Sequence, residues 1–404
     1  MKIEQLRIKN FKILKDIHLK DIPNMCVFLG ANGSGKSTLF DVFSFLSEAL
    51  KSNVQSAVNN RGGFSELISR NSSLSDKIEI IVKFRNDPLA SGLIINPPLI
   101  TYHLEIGLMG KTPVVSREVL SYRRGSHGKP YHFIDFQFGQ GEAISNEEDI
   151  ISGKANFEPI RVQQTLDAPY ILAIKGLGQF KEFKAVSDFR KLLENWYIAN
   201  FQIPDAKKSQ EIYVSEHLTP TGDNLALVAD YLYENHNDIF NSILLKMKSR
   251  IPGISKVEAA KTEDGRIILK FKDGEFKDPF ISRFVSDGTL KMFAYLVLLN
   301  DPVKRPLLCI EEPENYLHPF LMSVLSEEFR EYSSKGQIFI STHSPDFVNT
   351  LNIDELFWLH KSNGFSIIKR AMDDETVSRL FREGDKLGYL WRQNFLIGSG
   401  PNEI

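Results

Sequence analysis

The stretch MCVFLGANGSGKSTLF, residues 25–40, constrains the fold more than any other part of the chain. MCVFLG reads as a fully buried strand, the glycine-rich run as a tight loop, and the residues from Lys36 to about Leu50 as an amphipathic helix. The loop fits G-x-x-x-x-G-K-[ST] in the order Gly30, Ala31, Asn32, Gly33, Ser34, Gly35, Lys36, Ser37, Thr38. Its glycines let successive backbone N–H groups point inward, and the helix start adds positive potential. Lys36 brings a mobile charge for the β- and γ-phosphates of ATP. Ser37 is then the expected ligand of Mg2+. After the helix SDGTLKMFAYLVLL, strand, helix, strand and helix alternate toward the C-terminus, which indicates an α/β architecture.

A second core strand ends in charge. In RPLLCIEEPENYLHP, four apolar residues from Leu307 to Ile310 run into Glu311 and Glu312, and Glu314 follows one proline later. A carboxylate buried without a partner costs several kcal/mol, so this strand end must face water or a cation. With the phosphate loop present, Glu311 is expected to act on the metal. Glu312, one residue on and turned the other way, is expected to act as base toward the attacking water. Pro313 is expected to stop the strand, and Glu314 to carry local hydrogen bonds. A third strand, QIFISTHSP, ends in His343, which joins the catalytic candidates Glu312 and Lys36. Upstream, FVSDGTLKMF opens a helix whose N–H groups are exposed around Ser286, Asp287 and Gly288.

Composition narrows the class. The 404 residues are 42% hydrophobic and 25% charged, which suits a folded globular chain of more than one lobe. With 49 basic and 51 acidic side chains, net −2, no global excess announces nucleic acid, and any such contact needs a local patch. No apolar run approaches the ~18 residues of a membrane span, and MKIEQLRIKNF lacks a signal-peptide core, so a cytoplasmic protein is expected. Cys26 and Cys309 sit in apolar runs and read as reduced core thiols. Period-2 runs from about Lys77 to Phe138 predict an antiparallel sheet, and helical periodicity from about Gln179 to Gly253 predicts a helical insertion. The expected organisation is 1–165, an N-terminal half of the ATP-binding head with the antiparallel β subdomain; 166–253, the helical insertion; and 254–404, the C-terminal half of the head.

The order GANGSGKST, VSDGT, CIEEPENYLHP, ISTHSP resembles the ABC-class ATPase heads of the RecF, SMC and OLD group, closest to stand-alone bacterial AAA-type, RecF-like ATPases. The likeness extends to IKNFKIL, GDNLALV and LGYLW. It implies a sheet in which the His343 strand lies between the phosphate-loop strand and the carboxylate strand. It also implies two ATP molecules sandwiched by a head-to-tail homodimer, with Ser286 and Gly288 as the signature motif on the partner's nucleotide. Gln179 in AIKGLGQF resembles the Q-loop glutamine and reads equally as an exposed helix-start residue. Arg61 in NNRGGF resembles an arginine aimed at phosphate and reads equally as a surface loop residue. His318 stands where the D-loop aspartate is usual.

Three departures shape the expected function. The middle of the chain carries no sustained heptads and no C-x-x-C, unlike the long coiled coils of SMC relatives. The stretch after His343 is shorter than the Toprim domain of OLD nucleases requires, and Asp373 and Asp374 read as a solvated turn. The expectation is therefore an ATP-hydrolysing, ATP-dimerised switch coupled to DNA or to a separately encoded effector such as a nuclease, in phage defence or DNA repair. The rivals are an ATPase subunit of a membrane importer and a non-hydrolysing scaffold that uses ATP as glue. The hairpin SYRRGSHGKPYHF gathers Arg123, Arg124, His127 and Lys129 with Tyr122, Tyr131 and Phe133, a cluster suited to nucleic acid or, more simply, a solvated β-turn.

Overall fold

The computed structural model describes residues 2–85, 99–122, 130–146 and 158–400. In chain order its first strands are β1 (Lys2–Phe11), β2 (Leu14–Leu19), β3 (Met25–Gly30), β4 (Ile78–Arg85), β5 (Leu99–Met109), β6 (Thr112–Tyr122), β7 (Tyr131–Gln137), β8 (Gln140–Ile144) and β9 (Arg161–Thr165). They are followed by β10 (Tyr197–Ala199), β11 (Gln210–Glu211), β12 (Ile254–Lys261), β13 (Arg266–Asp273), β14 (Phe280–Ile281), β15 (Leu307–Glu311), β16 (Gln337–Thr342), β17 (Leu356–Ser362) and β18 (Phe365–Arg370). The longer helices are α1 (Lys36–Lys51), α2 (Lys184–Glu194), α3 (Leu225–Asn235), α4 (Asn237–Arg250), α5 (Asp287–Leu299), α6 (Leu321–Ser333) and α7 (Glu375–Glu383).

The central sheet has the order β10-β15-β16-β3-β17-β18 among the described residues, parallel throughout except for the β17–β18 hairpin at its edge. Its central strands are apolar without a break over residues 25–29, 307–310 and 338–340 because both faces are covered there. Alternate side chains enter two separate cores. Cys26, Phe28, Cys309 and Phe339 pack toward α1 and the antiparallel sheet. Met25, Val27, Leu29, Leu308, Ile310, Ile338 and Ile340 pack toward the side formed by α3, α4, α5 and α6. Both cysteines are buried and free, as their apolar setting predicts.

The antiparallel sheet, β2-β1-β4-β5-β6-β7-β8-β9, takes in the N-terminal hairpin as well as the period-2 runs. On β4, Ile78, Ile80, Val82 and Phe84 face the core and the residues between them face out, the alternation a half-buried strand requires. Its outer face carries opposed charges: Glu79 lies across from Glu105, and His103 Nε2 is 3.1 and 3.5 Å from their inner oxygens. Lys9 and Lys77 each bind an outer oxygen, at 2.7 and 2.6 Å, so the repulsion of two facing carboxylates is offset within the sheet.

The segment 166–253 departs from a purely helical insertion. Tyr197–Ala199 pairs in parallel with Leu308–Ile310 and forms the edge of the central sheet. Before it, α2 packs on the antiparallel sheet, with the Phe189 ring stacked 4.9 Å from Phe84. After it, α3 and α4 lie on the opposite core. Periodicity sees the helices, but a three-residue strand is too short to show a period.

One buried carboxylate ties the layers together. Glu118, on β6, is fully buried and accepts from the backbone N–H groups of Ala173 and Ile174 and from Tyr102 Oη. Burial outweighs these three donors and pushes its pKa up to about 7. The folded-state value lies above the unfolded one, so the protonated form stabilises the fold below about pH 4.5, and that contribution is lost as pH rises through about 7. Glu118→Gln, which cannot ionise, should therefore gain on wild type by roughly 2–3 kcal/mol between pH 5 and pH 8. Denaturant titrations at the two pH values measure the difference, and a constant gap between the variants contradicts the assignment.

Candidate functional site

β3, β16 and β15 lie side by side and parallel, so their carboxyl ends open on one edge of the sheet. This is where an open α/β sheet can present side chains to a ligand without losing strand pairing. After β3 the chain turns through Gly33 (φ 74°) and Gly35 (φ 110°), and Gly35 caps α1 in a left-handed conformation that a side chain would strain. A Cβ at Gly35 would also lie 2.3 Å from Ser366 Oγ, which donates to the Ser34 carbonyl at 2.6 Å and pins the loop to β18. Asn32, Gly33 and Ser37 are exposed, whereas Ser34, Gly35 and Lys36 are buried. Lys36 Nζ donates to the carbonyls of Gly30 and Ala31, at 2.6 and 3.2 Å, and burial pulls its pKa down to about 8.

Ser37 Oγ donates to Glu311 Oε2 at 3.0 Å, which joins the loop to the end of β15 across 274 positions of sequence. A hydroxyl and a carboxylate oxygen side by side form a hard-oxygen pair of the type that holds Mg2+ together with phosphate oxygens and water. Burial raises the Glu311 pKa, opposed by the Ser37 hydrogen bond. Glu312 lies outside β15, which ends one residue earlier than Pro313 predicts. Glu312 has φ 44°, a left-handed conformation, so its side chain is re-aimed by a turn rather than by strand alternation. Its N–H donates to the Ser341 carbonyl at 3.0 Å. One carboxylate oxygen is 3.1 Å from His343 Nε2 and the other accepts from Asn315 Nδ2 at 2.9 Å. His343 follows β16, and burial, with Lys36 nearby, pulls its pKa down, so near neutral pH the ring is uncharged. A carboxylate held by two side chains beside a lysine and this hydroxyl–carboxylate pair can accept a proton from water. Glu314 reaches beyond its own turn, to the end of β16, 28 and 29 positions on. Its Oε1 accepts from Thr342 Oγ1 at 2.8 Å and from His343 N at 2.6 Å, while the buried Oε2 has no hydrogen-bond partner.

Ser286 caps α5, its Oγ accepting from Thr289 N at 3.1 Å, and remains exposed. Gly288 allows the next loop to approach, since a Cβ there would lie 2.8 Å from the Tyr316 carbonyl. Arg61 is 10% exposed in its side chain and ion-paired to Asp41 at 2.8 Å and Glu48 at 2.5 Å; it is not a loose surface arginine, and it borders a cleft of about 510 Å3 with Ser37 and Thr38. His318 is exposed, and its Nδ1 accepts from Phe320 N within its own turn at 3.2 Å.

Gln179 is not brought to the site. Its amide donates to the Lys175 carbonyl at 3.2 Å, and Lys175 Nζ in turn donates to the carbonyls of Lys51 and Ser52 at the C-terminal end of α1. At 1.5 Å per residue that end lies about 22 Å from Lys36, so the glutamine reads as a turn residue. Arg123, Arg124, His127 and Lys129 lie outside the described residues; of that hairpin, the Tyr122 and Phe133 rings pack at 5.9 Å. Asp374 caps α7 through the N–H groups of Thr376 and Val377, consistent with a turn. Lys291 is singled out by none of the motifs above; its signal in the sequence is that of a lone cation in a helix otherwise apolar from Leu290 to Leu299. Among the described residues, no helix is long and apolar enough to cross a membrane.

Residues 25–158 and 168–349 match the protein family described as "AAA domain, putative AbiEii toxin, Type IV TA system". Two curated relatives are the DNA replication and repair protein RecF of Lactococcus lactis subsp. cremoris, strains MG1363 and SK11, each 25% identical over 146 residues, or 36% of this chain and 40% of theirs. The match thus spans about two fifths of their length. Among solved structures, an SMC head bound to the C-terminal winged-helix domain of ScpA superposes with TM-score 0.55 at 15% identity, covering 92% of this chain and 99% of that one. An SMC head with an extended coiled coil bound to the C-terminal domain of ScpA, derived from Pyrococcus furiosus, gives 0.50 at 13%, covering 94% and 99%. These likenesses establish the fold of an ABC-type head.

Proposed function

Because the chain belongs to this AAA-domain family and has the fold of RecF- and SMC-like P-loop ATPase heads, we propose that it binds and hydrolyses ATP with Mg2+ and uses the cycle as a switch. The observation that carries the reading is the convergence of Ser37, Glu311, Glu312 and His343 beside the Gly30–Thr38 loop. In it, the loop N–H groups and Lys36 would hold the β- and γ-phosphates, and Ser37 with Glu311 would hold Mg2+, which when bound would supply positive charge against the phosphate oxygens. Glu312 takes the proton of the attacking water, held in place by Asn315 and the neutral His343. The signature residues Ser286 and Gly288 complete the site of a second protomer, so ATP drives dimerisation and hydrolysis releases it. The read-out is a separately encoded effector or DNA, in a cytoplasmic setting. The toxin–antitoxin wording of the family description supports an effector, as do the ScpA complexes of the SMC heads, and the replication and repair role in the RecF name supports DNA.

The first test is ligand and metal dependence. At ATP near 100 Kd with Mg2+, unfolding should shift upward by about 2.7 kcal/mol, and EDTA should cancel both this shift and phosphate release. Thermal melts and a phosphate assay measure the two effects. A protein that neither melts later with Mg-ATP nor releases phosphate is not an ATPase of this kind.

A further inference from the structure

The loop after β15 is held from one side by the signature helix. Lys291, one turn into α5, is 3% exposed, and its Nζ donates to the main-chain carbonyl of Glu312 at 3.2 Å, flanked by the Tyr295 and Tyr316 rings at 5.7 and 5.6 Å. The residue it grips is the left-handed one whose carboxylate reaches His343. Gly288 on the same helix face lets the Tyr316 carbonyl approach, so α5 and the Glu312–Tyr316 loop touch at two points one turn apart. We infer that Lys291 is a positioning residue that couples the signature helix to Glu312, so that seating of Ser286 and Gly288 against the partner's nucleotide sets the aim of the base in its own site.

The inference rests on the ATP-dimerised reading above and adds its regulation. A rotation or shift of α5 moves the Lys291 ammonium, and with it a carbonyl in a backbone conformation that tolerates little freedom. The ammonium is costly to bury and would not be there for packing alone. Burial pulls its pKa down to about 8, and the charges of Glu314 and then Glu312 oppose that shift. Two sites on each protomer would thereby report on one another: the partner's ATP through α5, and the chain's own ATP through Glu312.

Lys291→Met and Lys291→Gln, with Lys291→Arg as the conservative variant, separate coupling from structure. The expected result for Met and Gln is N-methylanthraniloyl-ATP binding, ATP-dependent dimerisation and KM all within about threefold of wild type, with kcat reduced at least about tenfold. Turnover per protomer should no longer rise with protein concentration, because the dimer forms without aiming the base. Lys291→Arg should recover kcat to within about threefold. A folded Met or Gln variant with wild-type kcat overturns the coupling. So does loss of the fold in both, which would mark Lys291 as a packing group. If wild type itself neither hydrolyses ATP nor dimerises with it, the proposed function fails first, which the wild-type control reveals without the variants.

Discussion

Replacing Glu312 by glutamine should lower ATP turnover by about 10²–10⁴-fold while leaving ATP affinity within a few-fold of wild type. The amide keeps the shape of the side chain and one acceptor oxygen, so the contact with Asn315 Nδ2 or with His343 Nε2 can survive, but it cannot take a proton from water. Glu311→Gln should behave differently. Its oxygen accepts from Ser37 Oγ at 3.0 Å, where the metal is expected, so the variant should lose Mg2+-dependent nucleotide binding as well as rate. Single-turnover phosphate release and equilibrium binding with and without Mg2+ separate the two. If both variants hydrolyse ATP near the wild-type rate, the strand end is only a polar terminus and the assignment of base and metal ligand fails.

The second large effect concerns assembly. In a Glu312→Gln background, which preserves ATP, light scattering should show more dimer with ATP than with ADP, and adding Ser286→Arg should remove that difference. Ser286 is the exposed cap of a thirteen-residue helix, its hydroxyl committed to Thr289 and not to the Gly30–Thr38 loop. The N–H groups of that helix start and its dipole suit an anion, which in the proposed dimer is the γ-phosphate held by the partner. A long arginine side chain crowds that approach, and weakening of the dimer by tenfold or more corresponds to a loss of about 1.4 kcal/mol. Ser286→Ala is the control, because it removes the cap, worth about 1 kcal/mol of helix stability, without adding bulk. The same mass with ATP, ADP and no nucleotide, before and after the Ser286→Arg change, would sink the ATP-gated dimer. A C2 dimer with two shared nucleotides requires the opposite outcome.

How much of this was legible in the sequence follows from how local each signal is. The phosphate loop was readable because its chemistry is contiguous: Gly33, Gly35, Lys36 and Ser37 are neighbours, and the glycines are demanded by the backbone conformations of the loop itself. The unbroken apolar strands around Cys26, Cys309 and Ile340 were readable as buried on both faces, because a sheet covered twice leaves no polar alternation. Glu311, Glu312 and His343 stood out because ionisable groups at the tips of such strands need a reason. Gln179 was left with two readings by a motif resemblance alone, since a local motif carries no record of which end of α1 its loop is tied to, and the packing favours the plain turn residue.

By itself, then, the sequence determined the class of the sheet, the loop that cradles phosphate and the three strand ends that gather around it, because local periodicity and backbone sterics act over a few residues. Tertiary structure alone decided the rest. It brought Ser37 within 3.0 Å of Glu311 and Glu312 within 3.1 Å of His343, contacts between residues far apart in sequence that only the parallel order of β3, β16 and β15 creates. It made Tyr197–Ala199 an edge strand through pairing with β15 rather than through any propensity of its own. It also set Lys291 beneath Glu312, since only packing of α5 against the loop after β15 makes the burial of one cation among apolar neighbours worth its desolvation.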